Sequence, residues 1–194
     1  MLYEYQVFFA VCGIVVALIR YFFYFRAIFA KQVVPHVFSW FVWGLLSAIV
    51  AVAQVIAGAG PSAWVTALMA ASCFIVALVG LRNGTKYITT IDWISFVGAL
   101  AAIGLWILTD NPLTAVIIAT VADMLGYIPT WRKAYVKPLE ESAGGFALAG
   151  SRSAFGLLAL AAFNPTTVIH PLFVLLADYI TAALIYIRQR QLKR

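Results

Sequence analysis

Seven apolar segments, each close to twenty residues long, fill most of the chain and limit it to one kind of fold. A helix of about 20 apolar residues crosses the hydrocarbon core of a bilayer. Segments of this length predict helices, which satisfy their own backbone hydrogen bonds in lipid. Hydrophobic residues make up 64% of the sequence and charged residues 10%, unlike a soluble domain. The sequence therefore predicts an all-α integral membrane protein.

Turn residues separate the segments and define seven predicted transmembrane helices. Gly60-Pro61 ends the second helix and Asn164-Pro165 ends the sixth. Pro112 lies in the first turn of the fifth helix, a position that suits proline. The predicted helices are 6–26, 37–58, 63–81, 89–109, 112–130, 143–163 and 168–188.

An internal repeat is visible when the sequence is shifted by 103 positions, which moves residue 20 to residue 123. Helices one to three then fall under helices five to seven, and the fourth helix has no counterpart. The residues that coincide are Arg20 with Asp123, Tyr24 with Tyr127, Pro35 with Pro138, Ser39 with Ser142, and Trp43 with Phe146. In a 3+1+3 arrangement, the single linker helix lets the two three-helix units share one orientation in the membrane. The sequence therefore predicts two parallel repeats, related by an axis along the membrane normal. The predicted units are 1–88, the linker helix 89–110, and 111–194 with its basic tail.

The Lys and Arg residues predict the orientation in the membrane. Outside the helices they occur only after helices one, three and five and in the C-terminal tail. Short loops rich in Lys and Arg stay in the cytoplasm. We therefore expect the N-terminus outside and the C-terminus inside, most simply in a bacterial inner membrane. The net charge of +6 reflects this topology, and no nucleic-acid partner is expected.

Four ionisable residues lie within predicted helices: Arg20, Asp123, Arg152 and Asp178. A charge at this depth costs a few kcal/mol and is expected to face the bundle interior with a partner. Small residues flank each of the first three on one helix face, where helices approach closely. All four side chains are therefore expected to point into the bundle.

Two interpretations of these charges stay open from the sequence. Arg152 and Arg20 can neutralise Asp123 and Asp178 in two structural ion pairs. Alternatively, the charges form a polar site in which one carboxylate takes a proton or binds a substrate. Asp178, next to Tyr179, is the leading candidate for that role.

Other candidates are weaker. Trp43 and Ser47 share one face of helix two and suit a small polar or ring-shaped ligand. His36 and His170 each lie beside a proline, and surface capping is the simpler interpretation. Cys12 and Cys73 lack metal-ligand spacing and are read as packing residues, so neither a metal nor a cofactor is expected.

One short segment carries a family resemblance. The sequence Ile128-Pro129-Thr130-Trp131-Arg132-Lys133, followed by Pro138 and Ser142, is similar to the PQ-loop pattern. With its 3+1+3 plan of about 200 residues, the chain resembles the SWEET and PQ-loop superfamily of membrane proteins. The likeness in topology covers essentially the whole chain, and the likeness in motif covers about fifteen residues.

This resemblance implies a substrate pocket between the two units near the membrane midplane. Asp178 occupies roughly the place of a substrate-contacting asparagine in the seventh helix, and an acid there implies proton coupling or a cationic solute. The hinge and gate positions that the resemblance implies are Pro129, Pro138 and Pro35, together with Tyr24 and Tyr127.

The expected function is therefore transport of a small polar solute, sugar-like or a cationic metabolite, by alternating access. The alternative is a non-transporting seven-helix binding or sorting receptor, in which Arg152 holds a peptide carboxylate. No enzymatic activity is expected, because no nucleophile–base pair or phosphate loop is found. The expected partners are the solute and the lipid bilayer, and self-association into a homo-oligomer is left open.

Overall fold

The computed structural model describes residues 2–32, 34–83 and 88–192. These residues form seven α-helices and a short 3-10 turn at Pro138–Glu140. The helices are α1 (Leu2–Phe29), α2 (Val37–Ile56), α3 (Ser62–Asn83), α4 (Thr90–Thr109), α5 (Pro112–Val136), α6 (Ala143–Leu158) and α7 (Pro165–Leu192). Six of them, all except α6, are long and apolar enough to cross a membrane. The protein is an all-α integral membrane protein, as the sequence predicted.

The sixth helix is shorter than predicted. α6 has 16 residues and ends at Leu158, whereas the sequence predicted a span of 143–163. A helix of this length covers roughly 24 Å, less than the roughly 30 Å of a hydrocarbon core. The chain leaves the helix in part because the N–H of Ala161 donates to the carbonyl of Ala59 at 3.0 Å instead of continuing the helical ladder. The prediction of a full-length sixth span was therefore wrong.

The helices pack in a definite set of pairs. α1 contacts α3 and α6, and α5 contacts α7 and α2. α2 and α3 form one close pair, and α6 and α7 form another. α3 also contacts α6, α2 contacts α7, and α4 packs against α5 and α2. Alanines on α4 and α5, including Ala99 and Ala119, pack against Leu46 and Val50 of α2, which is typical of closely approaching membrane helices.

The α2–α3 and α6–α7 connections meet at one end of the bundle. We call residues 57–61 and 159–164 the loop junction. Besides the bond between Ala161 and Ala59, the side-chain amide of Asn164 donates to the carbonyl of Ala57 at 3.2 Å. Because these connections touch, α2 and α6 end on the same side of the bundle.

Gly60→Ala is expected to destabilise the loop junction more than Gly58→Ala. Both glycines are left-handed, with φ of 63° and 75°, so alanine at either position costs about 1–2 kcal/mol. A Cβ on Gly60 would lie 2.6 Å from the Cβ of Ala161, whereas at Gly58 the nearest atom is 3.8 Å away. Overpacking should add about 1–3 kcal/mol at position 60 alone. Unfolding in mixed micelles measures both losses, and equal values would contradict this close approach.

Pro171 interrupts the hydrogen-bond ladder of α7. The sequence places this proline near a helix entrance, but α7 begins at Pro165, so Pro171 lies inside the helix. Proline has no N–H to give to the carbonyl four residues earlier, which belongs to Thr167. The fully buried Gln54 of α2 donates its amide to that carbonyl at 3.2 Å. A side chain of α2 thus completes the backbone bonding of α7.

A double-mutant cycle on Gln54 and Pro171 should reveal this dependence. Gln54→Leu leaves the Thr167 carbonyl without its donor, which should cost about 1–3 kcal/mol. In a Pro171→Ala background the new N–H can bond the same carbonyl, so Gln54→Leu should cost about 1 kcal/mol less. Unfolding free energies of the four proteins give the coupling. A coupling of zero would show that the glutamine does not compensate for the proline.

Candidate functional site

Five side chains from three helices form a polar group inside the bundle, which we call the polar cluster. They are Asp123 and Tyr127 on α5, Arg152 on α6, and His170 and Asp178 on α7. The two aspartates are 6% and 3% exposed, Arg152 is 4% exposed and His170 is 3% exposed. Burial this complete means that each group depends on its protein neighbours in place of water.

Asp178 is held by a tyrosine of a neighbouring helix. The hydroxyl of Tyr127 donates to Asp178 Oδ1 at 2.9 Å. One helical turn further along α7, the indole N–H of Trp131 donates to the hydroxyl of Thr181 at 2.9 Å. These two hydrogen bonds join α5 to α7, and the first of them involves an ionisable carboxyl group.

Asp123 faces His170 and not an arginine. Asp123 Oδ2 lies 3.5 Å from His170 Nε2, between α5 and α7. The sequence interpreted His170 as a surface cap beside Pro171, and this interpretation was wrong because the imidazole is buried. The ion-pair hypothesis assigned Asp123 to Arg152 or Arg20. In the described residues, neither arginine forms an ion pair with a carboxylate.

The two interior arginines differ in their surroundings. Arg152 donates Nη2 to the hydroxyl of Ser153 at 3.1 Å, and its Nε has no hydrogen-bond partner in the described part of the chain. Arg20 is half-buried, and its guanidinium lies 5.3 Å from the ring centre of Tyr21. Asp178 forms no ion pair with either arginine in the described residues. The four formal charges sum to zero, but each carboxylate has a closer neutral or imidazole partner.

Two groups of aromatic rings lie beside α5. On the side of α1 and α2, Trp40 packs against Tyr24 at 5.1 Å and against Trp43 at 5.4 Å between ring centres. Trp43 lies close to Gly126 of α5, since a Cβ added there would be 3.4 Å from its Nε1.

On the side of α5 and α7, the ring of Tyr127 contacts Trp131 at 5.9 Å and Phe173 at 5.6 Å between ring centres. Tyr24 and Tyr127, which the predicted repeat aligns, therefore each lie in a separate aromatic group. Aromatic rings of this kind can contact ring-shaped or cationic ligands.

Several predicted site residues lie away from this cluster. Tyr179 points towards α6, where its hydroxyl is 3.0 Å from Ser151 Oγ, and its side chain is 42% exposed. Ser47 is buried within α2. Tyr179 therefore faces a different direction from its neighbour Asp178, because successive helix positions point about 100° apart.

The three predicted hinge prolines have different surroundings. Pro35 is buried and packs against Gly80 of α3: a Cβ added to that glycine would lie 3.4 Å from Cγ of the proline ring. Pro138 opens the 3-10 turn, and its carbonyl accepts from Gln189 at 2.8 Å. α5 continues past Pro129 to Val136, so that residue is inside a helix, and its side chain lies outside the described part of the chain.

His170 is the cluster member that the sequence interpretation missed. Its signal was its spacing from Asp178, since positions 170, 174, 178 and 181 recur on one face of a helix. Val174 and Thr181 of this face are also buried. The eight-residue spacing between His170 and Asp178 thus predicts a buried histidine on the interior face of the helix. The adjacent Pro171 suggested a surface cap instead.

Comparisons with protein-family models, with curated protein sequences and with solved structures find no match to this chain. The chemistry of the polar cluster is therefore the basis for proposing a function.

Proposed function

We propose that this membrane protein transports a small polar solute, sugar-like or a cationic metabolite, across a bacterial inner membrane by alternating access. The main support for this proposal is Asp178, whose carboxylate is buried in the bundle and accepts a hydrogen bond from Tyr127. Intramembrane carboxylates are costly and mark substrate or proton pathways. Transport that is linked to protons would use Asp178 as the group that gains and loses the proton.

The pattern of helix contacts supports the proposed 3+1+3 arrangement. Exchanging α1, α2 and α3 with α5, α6 and α7 turns each contact among these six helices into another contact that is present. The pair α1–α6, for example, becomes α5–α2, and the pair α3–α6 becomes α7–α2. Two equivalent three-helix units joined by α4 would produce this symmetry, which is the plan of the SWEET-like superfamily that the sequence resembles.

The loop junction supports parallel repeats. The equivalent connections α2–α3 and α6–α7 touch each other, so the corresponding helices run in the same direction. Together with the Lys and Arg residues of the other loops, this favours an external N-terminus and a cytoplasmic C-terminus. The loop junction would then close the external side of the site.

Contacts between the units support a site that is closed on one side. Near the loop junction, Phe9 of α1 stacks on Phe155 of α6 at 6.1 Å between ring centres, and a Cβ on Gly13 would lie 3.3 Å from Phe155. Gln54 joins α2 to α7 at the same end. Alternating access would require these contacts to separate while the opposite end of the bundle closes.

A receptor is the second candidate, and one observation favours it. Arg152 is buried and makes no contact with a carboxylate in the described residues. A guanidinium in that state can bind the carboxylate of a peptide. Binding without translocation would then be the function. We propose no enzymatic role.

Ligand-induced thermal stabilisation of the purified protein tests the proposed site. The panel contains sugars, amines, amino acids, nucleosides and peptides with free carboxylates. A ligand at a hundred times its dissociation constant should stabilise the fold by about 2.7 kcal/mol. We expect a sugar or a cationic metabolite to stabilise the wild type but not Asp178→Asn. Stabilisation by peptide carboxylates alone, lost in Arg152→Ala, would instead assign the receptor.

A further inference from the structure

Unpartnered polar atoms converge on one small cavity of the bundle. In the described residues, four buried side-chain atoms have no hydrogen-bond partner: Gln54 Oε1, Ser62 Oγ, Arg152 Nε and His170 Nε2. Ser62, Arg152 and His170 line a single cavity of about 20 Å³ between α3, α6 and α7. Of their three atoms, His170 Nε2 has a charged neighbour, Asp123 Oδ2 at 3.5 Å. Buried polar groups are paired in the great majority of cases. Ser62 Oγ and Arg152 Nε, both without a partner at one cavity in the described residues, therefore indicate a missing common partner.

The walls of this cavity offer donors. Ser62, Thr66 and Ser153 each have a hydroxyl group at the cavity. Arg152 adds a guanidinium, which donates hydrogen bonds and cannot accept them. Ser153 already accepts from Arg152 and donates to the carbonyl of Ala149 at 3.3 Å. None of the ten described residues that line the cavity is acidic. The partner that suits this lining is therefore an acceptor with negative charge.

The size of the cavity limits that partner. A volume of about 20 Å³ has room for about one water-sized group, since one such group needs about 10–15 Å³. A sugar ring or a metabolite does not fit. We propose that the α3–α6–α7 cavity binds a small monovalent anion of the size of chloride, held by Arg152 and Ser62.

An anion explains the arginine better than a water molecule does. Arg152 is 4% exposed and has no carboxylate in contact. Unpaired buried charges are strongly unfavourable, and water compensates only part of that cost. Asp123 lies 3.5 Å from His170 Nε2 but is not among the lining residues, so it leaves Arg152 unpaired. The site is independent of the solute proposal, because it requires binding only.

Melting temperatures of the purified full chain in detergent test the anion site. Sodium chloride replaces sodium gluconate at constant ionic strength, and bromide, nitrate, formate and acetate are compared in the same way. We expect a saturable rise in melting temperature with chloride and bromide. Ser62→Ala removes one hydrogen bond to the ion and should weaken chloride binding roughly 10- to 100-fold.

Ser72→Ala is the matched control. Ser72 is a buried serine of the same helix, 6% exposed, and it does not line the cavity. This variant should keep the chloride response of the wild type. Comparing Ser62→Ala with Ser72→Ala tests the site without an Arg152 variant, which can fail to fold.

Crystals grown in bromide add a direct readout, with an anomalous peak expected between Arg152 and Ser62. Identical melting temperatures in all salts, with no anomalous peak, would overturn the proposal and assign the cavity to water. Stabilisation by formate and acetate but not by halides would also overturn it, and would assign Arg152 to a carboxylate ligand. Equal loss of the chloride response in the Ser62 and Ser72 variants would show that the response does not arise in this cavity.

Discussion

Asp178→Asn is expected to reduce solute transport to the background of protein-free vesicles while the protein stays folded. Asparagine has nearly the same shape, and its oxygen can still accept from Tyr127, whose hydroxyl lies 2.9 Å from the carboxylate. The substitution removes the negative charge and the exchangeable proton, which proton coupling or recognition of a cation requires. Uptake into sealed proteoliposomes measures the effect, and the melting temperature of the same preparation reports folding.

Tyr127→Phe and Tyr179→Phe are the comparison variants. Tyr127→Phe keeps the carboxylate but removes its hydrogen bond, so transport should fall roughly tenfold without being lost. Tyr179 adjoins Asp178 in sequence but bonds Ser151 on the α6 side, so its phenylalanine variant should transport normally. Normal uptake by Asp178→Asn would remove this carboxylate from the site.

Asp123→Asn is expected to cause the largest loss of stability. Asp123 and His170 are 6% and 3% exposed, and their nearest atoms are 3.5 Å apart. Removing one partner of a buried pair leaves the other charge uncompensated, which costs about 3–5 kcal/mol. Unfolding of the reconstituted protein by denaturant gives the free-energy difference.

The double variant Asp123→Asn, His170→Gln provides the control for this pair. It replaces both charged groups with amides that can bond each other, so it should recover most of the stability lost in Asp123→Asn alone. A loss below about 1 kcal/mol in Asp123→Asn would contradict an ionic pair and indicate a neutral contact.

The sequence predicted that four charges face the interior, and three of them are buried. Arg20 is half-buried, and Asp92, which is 7% exposed, was not predicted. Asp123, Arg152 and Asp178 are costly in apolar segments, so each had to face the interior, and all three are buried. Their partners did not follow from the same argument. Whether Asp123 meets Arg152 or His170 depends on how α5, α6 and α7 are rotated and spaced, and one helix alone does not fix this.

Helix ends were predictable only where a local signal determined them. α5 begins at Pro112, the proline that the sequence placed in its first turn, and Asn111 caps the helix with its side chain, 3.0 Å from the backbone N of Leu113. α6 ends early because Ala161 bonds to Ala59, about a hundred residues away. A continuous apolar run gives no sign of such a distant bond, so the length of this helix could not be read from its sequence.

Flux through the reconstituted wild-type protein shows whether the polar cluster serves translocation. The ligand that stabilises the purified protein is loaded outside sealed vesicles, and its entry is followed over time, with Asp178→Asn vesicles as the control. If the polar cluster serves translocation, the ligand should enter wild-type vesicles saturably and should not enter the Asp178→Asn vesicles. Saturable binding of the same ligand to the wild type without any entry would contradict transport and identify the protein as a receptor.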